Sequence, residues 1–100
     1  SVERTKAYKY QSLASGFVNH DAEVFIVTVE PKPEAHKIYK NTHLGQEFNL
    51  VLEGSMDLFI GDKTIRLEEG DSIYFDSGKP HGMLAVGNKA VKFLAFVVEK

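Results

Sequence analysis

The chain carries four histidines, His20, His36, His43 and His81, and no cysteine, so any bound metal must be held by imidazole, carboxylate or carbonyl groups. His43 stands four residues before Glu47, at the threshold of a largely apolar segment, Gln46 to Glu53. A carboxylate there is costly unless it is paired, solvated or bound to a cation. In an extended strand Glu47 shares its face with Asn49. His81 follows Lys79-Pro80 and can meet the His43–Glu47 pair only through tertiary folding. Taken singly, each of these histidines also fits a hydrogen-bonding surface residue. His20, between Asn19 and Asp21, reads as a turn residue, and His36 lies in an irregular stretch that suits the rim of a site. The chain has no nucleophile elbow, no phosphate-binding glycine loop and no histidine pair on a helix.

The elements that must position these groups are short strands. Gly54, Gly61, Gly70, Gly78 and Gly87 divide the second half into segments too brief for ordinary helices. Met56, Leu58 and Ile60 share one face of a strand, and after a Gly61-Asp62 turn Ile65 and Leu67 answer across a hairpin, with Thr64 and Arg66 outward. Ala22 to Glu30 is rich in β-branched and aromatic residues and stops at Pro31-Lys32-Pro33. Gln46 to Glu53, Ser72 to Phe75, Gly82 to Val86 and Ala90 to Val98 complete the set, with Tyr8-Lys9-Tyr10 as an edge strand. The pattern predicts an all-β domain, a sandwich or small barrel of antiparallel strands. Pro31 to Thr42 is the longest irregular segment and the best candidate for a loop that shapes a site.

Strand phase adds pocket candidates. Asn49 lies on the Glu47 face, Tyr74 shares its face with Ser72, and Met83 stands two residues beyond His81, so each is a candidate for the wall around the polar groups, as for the core. Gln46–Glu53 and Ala90–Val98 carry apolar residues on both faces: Phe48, Leu50 and Leu52 oppose Glu47, Asn49 and Val51, and Leu94, Phe96 and Val98 oppose Phe93, Ala95 and Val97. Such strands in a small domain point to a sheet covered by a second copy, hence a homodimer, or to two-layer core packing.

One hundred residues suit one domain, spanning 1–100. Hydrophobic residues at 43% and charged residues at 26% exclude a disordered chain. Twelve basic against fourteen acidic residues give a formal charge of −2, which offers no footprint for nucleic acid or an anionic membrane. The longest apolar run, Phe93 to Val98, is far short of a membrane span, and the polar start and absence of cysteine point to the cytoplasm. Ser1 in place of Met is compatible with a processed start, an expression scar or a domain excised from a longer chain.

Two separated blocks resemble the cupin family. In the first, Asn41-Thr42-His43-Leu44-Gly45-Gln46-Glu47, then Phe48 to Glu53 and Gly54, match the family's pattern of two histidines, a glutamate and a glycine, except that Asn41 stands where the first histidine would be. In the second, Gly70, Gly78 and His81 keep the family's spacing, with Asp76 in place of a proline and Ala85 in place of a closing asparagine. The resemblance covers about residues 22–98, leaving 1–21 as an N-terminal edge segment. It implies a double-stranded β-helix, the jelly-roll barrel. It also implies that His43, Glu47 and His81 bind a divalent transition metal in the barrel mouth. Two imidazoles and a carboxylate suit iron, zinc, manganese or nickel. Asn41 is a weaker, neutral donor that lowers such affinity; without metal, the same groups would hydrogen-bond a ligand or water.

The wording of both blocks is similar to the C-terminal cupin sensor domains of bacterial helix-turn-helix (XRE-type) transcription regulators. That implies a small-molecule-binding sensor, with Asn41, Asn49, Tyr74, Met83 and His36 as ligand contacts and no DNA-reading helix of its own. The alternative is a metal-dependent enzyme, a dioxygenase, isomerase or decarboxylase acting on a small polar molecule.

Overall fold

Alternation of buried and exposed side chains sets out the architecture in the computed structural model, which describes residues 8–13, 22–32 and 40–98. These residues form eight strands: β1 (Tyr8–Ser12), β2 (Ala22–Val29), β3 (Gln46–Glu53), β4 (Met56–Ile60), β5 (Lys63–Leu67), β6 (Ser72–Asp76), β7 (His81–Ala85) and β8 (Val91–Val98). The segments read from the sequence match them to within a residue or two. His20, His36 and most of the irregular Pro31–Thr42 stretch lie outside the described residues.

The strands make two antiparallel sheets, β1-β2-β8-β3-β6 and β5-β4-β7. From β3 onward the chain alternates between them, with β4 and β5 a hairpin within the smaller sheet, so that β3 and β4, β5 and β6, β6 and β7, and β7 and β8 lie in opposite walls of a jelly-roll barrel. Phe25, Val27, Val29, Val51, Phe93 and Ala95 from the larger sheet meet Met56, Leu58, Leu67 and Met83 from the smaller in one core. Each such fully buried apolar side chain contributes about 1.5–3 kcal/mol. That core fills the barrel up to the cavity beside Glu47, which Phe25, Val27, Phe93, Ala95 and Met83 also line.

Register decides which residues face inward. β3 pairs with β8 so that Glu47 opposes Val97 and Asn49 opposes Ala95, placing both polar side chains on the inner face. On the other side β3 pairs with β6, Glu47 opposite Phe75 and Phe48 opposite Tyr74. The expectation that Tyr74 lines the mouth is therefore corrected. It does share a face with Ser72, but Ile73 and Phe75 take the inner face, and Tyr74 is 64% exposed outside the barrel, its hydroxyl donating to the Gln46 side chain.

At the far end of β3 a bulge leaves Leu52 without a β8 partner, and the chain turns at Gly54. Gly54 has φ +81°, and a Cβ there would lie 2.6 Å from the Ala90 carbonyl oxygen. Gly61 also has a positive φ, +58°, but faces open space. Gly61→Ala should cost about 1 kcal/mol from backbone strain alone, and Gly54→Ala about 3 kcal/mol or more because backbone must also move. Urea unfolding of the two variants checks this, and equal losses would mean that the Ala90 contact is not a constraint.

Candidate metal and ligand site

Three strand-end residues converge on the inner face. Glu47 leaves β3 one residue after its start, His81 opens β7, and His43 lies in the turn before β3. His43 is held by its backbone N–H, which donates to the Ser77 carbonyl at 3.0 Å. Asn41 pairs with His81 through two backbone hydrogen bonds of 2.8 and 3.0 Å, which ties the turn to β7.

Glu47 is the centre of the cluster. Its Oε1 lies 3.3 Å from His43 Nε2 and 3.5 Å from His81 Nε2, and the three ligand atoms all fall within 4.8 Å of one another. Both Glu47 and His81 are buried, at 5% and 4% exposure. The His43 and His81 rings meet edge to face, and Phe75 packs edge to face on His81 from the opposite wall. Other atoms aim the cluster. His81 Nδ1 lies 2.8 Å from the Lys79 carbonyl oxygen, which makes Nδ1 the donor and leaves Nε2 free to ligate. Asn49, with its amide nitrogen turned toward its acceptor neighbours, donates to Glu47 Oε2 at 2.9 Å and to the Phe48 carbonyl at 3.1 Å.

Charge follows from this packing. Burial by itself would push the Glu47 carboxyl up, but hydrogen bonds from His43 and His81, reinforced by the charges of the same rings, hold it below its ordinary value. Burial would lower His81, yet its hydrogen bond to Glu47, the Lys79 carbonyl and the Glu47 charge raise it. Tyr8 is pushed up by burial, partly offset by its bond to Met83, with the Glu47 charge adding to the rise.

The cluster forms the polar end of a cavity of about 30 Å³ whose other walls include Tyr8, Tyr10, Phe25, Val27, Met83 and Val97, with Asn41 at its edge. Of the sequence-predicted residues, His43, Glu47, His81, Asn41 and Met83 come together here. Asn49 does not line the cavity; it is fully buried behind Glu47, because its shared face with the carboxylate leads inward along β3. Tyr74 lies outside the barrel and His36 outside the described residues. The apolar walls from β1 and β2 were missed. Their inward phase was legible in Phe25 and Val27, but their position beside the cluster needed the β2–β8 register, in which Phe25 opposes Ala95.

The donor set fits a divalent transition metal. Two imidazoles and a carboxylate are buried together, their ring nitrogens directed at one oxygen, with apolar walls around them.

Residues 25–97 match the Cupin domain family. This chain is a cupin. Its fold is similar to that of an HTH_3 family transcriptional regulator from Vibrio cholerae, at 28% identity and a TM-score of 0.77 over 94% of this chain and 52% of that one. The cupin domain of an XRE family transcriptional regulator from Enterobacter cloacae gives a TM-score of 0.80 at 17% identity, covering 95% and 99% of the two chains. Hydroxypropylphosphonic acid epoxidase from S. wedmorenis aligns at 28% identity and a TM-score of 0.74, over 92% of this cupin and 51% of the epoxidase. Structures of HppE with iron(II) and with cobalt(II) align similarly. This cupin spans about half the length of the Vibrio regulator and of the epoxidase. No curated protein matches the chain. Among the described residues no helix is long and apolar enough to cross a membrane.

The shifted groups predict how metal-free protein responds to pH. Glu47, lowered from its ordinary 4.5, stabilises the fold above that value, and the contribution is lost as pH falls through its lowered value. His81, raised from 6.5, contributes stability that is complete below 6.5 and is lost as pH rises through its raised value. Urea midpoints should be highest between these limits and decline on the alkaline side, and His81→Gln should flatten that decline. A wild-type midpoint that stays level through and above 6.5 would contradict the pairing.

Proposed function

We propose that this cupin is the small-molecule-sensing part of a bacterial transcription regulator, working in the cytoplasm. Its His43–Glu47–His81 centre binds a ligand's polar head, with a divalent ion (zinc, iron, manganese or nickel) as cofactor. DNA is read elsewhere in the protein, since a domain with a formal net charge of −2 has no net positive charge to draw it. The observation that carries the reading is the shape and chemistry of the cavity: a buried polar cluster at one end of a small, mainly apolar enclosure. At about 30 Å³ it has room for about two waters, so a ligand enters through a head group of few atoms. Tyr8, the buried phenol in the same wall, is already occupied: its hydroxyl donates to the Met83 carbonyl at 3.3 Å and accepts from the Met83 N–H at 3.0 Å. It is therefore better placed to shape the cavity than to move protons. The likeness to regulators over most of this chain supports the same reading.

A second reading, a metal-dependent enzyme on a small polar molecule, rests on the two-histidine, one-carboxylate set and on the likeness to HppE. A metal there would supply Lewis acidity or activate oxygen. In either case His43, Glu47 and His81 hold the ion, Asn41 orients the head group and Met83 bounds its apolar side.

We further propose that the domain works as a homodimer through the outer face of the five-stranded sheet. Val24, Phe96, Phe48 and Tyr74 line up across four adjacent strands, and Ile26, Leu94 and Leu50 form the next row. Exposed Lys92 lies at one end of this apolar face and exposed Asp76 at the other. A two-fold axis across the strands would lay this face on its own copy and cover both apolar rows at once, which makes a second copy the proposed occupant.

Elemental analysis and calorimetry test the centre. Near-stoichiometric metal is expected in wild type and should be lost in Glu47→Ala and His81→Ala, whereas Asn41→His should tighten binding about tenfold, ~1.4 kcal/mol. Saturable ligand binding without turnover supports the sensor, and product formation the enzyme. Wild type that takes up neither metal nor ligand would refute both. Light scattering at micromolar concentration tests the dimer: Phe96→Glu should give a folded monomer, and a monomeric wild type would remove the interface.

A further inference from the structure

Glu47 has two carboxylate oxygens, and the structure gives them different neighbours. Oε1 faces both imidazoles, 3.3 Å from His43 Nε2 and 3.5 Å from His81 Nε2. Oε2 accepts from the Asn49 amide at 2.9 Å. Asn49 has little freedom to give up that bond. It is fully buried, its amide nitrogen also donates to the Phe48 carbonyl at 3.1 Å, and its backbone lies between β8 and β6, opposite Ala95 on one side and Ile73 on the other. A buried amide that lost its acceptor would find no water to replace it. Strand phase predicts Asn49 as a ligand contact, yet it does not line the cavity, so its contact with the site is the carboxylate itself.

We propose that Asn49 is the positioning residue for Glu47, holding Oε2 so that Oε1 alone is presented to an ion shared with the two histidines. A carboxylate can give a metal one oxygen or two. Taking both draws Oε2 toward the ion and away from Asn49, which strands a buried donor, whereas taking Oε1 alone leaves the Asn49 bond in place. Two-oxygen binding is a habit of large ions such as calcium, and one oxygen at about 2.0–2.2 Å suits a smaller ion such as zinc. Each of the three side chains then fills one coordination position, and the rest stay open for a ligand's head group. The inference deepens the metal reading of the centre and rests on it, although the hold on Oε2 belongs to the metal-free protein as well.

The test compares crystal structures of the full chain, metal-free and soaked with zinc alone, for wild type and for Asn49→Leu, which keeps the volume and removes the donor. Calorimetry gives the zinc affinity of each. Wild type should bind zinc through Oε1, with Oε2 still on Asn49. In Asn49→Leu the carboxylate should turn, so that zinc takes both oxygens or exchanges one for the other, and zinc affinity should fall about 10–100-fold. Asn49→Val, smaller and a good strand former, serves if the leucine variant does not fold. A carboxylate that keeps its wild-type orientation in the variant overturns the proposal even if affinity drops, because Asn49 would then only satisfy a buried oxygen. Wild-type zinc held by both oxygens overturns it too. If wild type takes up no zinc, the metal reading fails separately, and the metal-free pair of structures still decides whether Asn49 sets the direction of Glu47.

Discussion

A carboxylate inside a β-barrel is the constraint around which this molecule is arranged. Leaving Glu47 buried and unpaired would cost on the order of several kcal/mol, comparable to much of the stability of a small domain. The structure meets that cost on every side: two imidazole nitrogens at one carboxylate oxygen and an amide at the other. Each of those partners needs support in turn. His81 sits at the start of β7, tied by backbone to Asn41, and His43 sits in a turn tied to Ser77. The barrel end is ordered by this chain of dependencies, whereas the opposite end is held by apolar packing of Met56, Leu58, Val51 and Val91. The domain thus has a dry half that carries stability and a polar half whose state follows the protonation of its buried cluster.

Much of this was legible in the residues. β3 alternates cleanly, so the shared face of Glu47 and Asn49 follows from the two-residue period alone. The spacing of His43, Glu47, Gly54 and His81 led to the cupin resemblance and, through it, to the three residues that the fold brings within 4.8 Å. Periodicity says which residues share a face but not which face is the inner one. Tyr74 and Ser72 do stand together, and the β3–β6 register turns them outward. For Asn49 the face was right and the depth was not: a residue two steps further along a strand lies behind its neighbour rather than beside it. The Lys79 carbonyl had no signature at all, since a main-chain acceptor can belong to any residue.

The cavity limits the size of any group that could reach the cluster. Its walls are contributed by both sheets, so widening it requires side chains of the packed core to move, which dense packing resists. Met83 is the pliable part of that boundary, being unbranched among stiffer aromatic and β-branched neighbours.

Tyr8 has a mechanical role beyond its place in the wall. It belongs to β1, an edge strand of the larger sheet, yet its hydroxyl grips both polar atoms of Met83 in the middle of β7, a strand of the smaller sheet. One side chain therefore rivets the two sheets together next to the cavity. Sliding β1 past β7 beside the cavity would break both of those hydrogen bonds together.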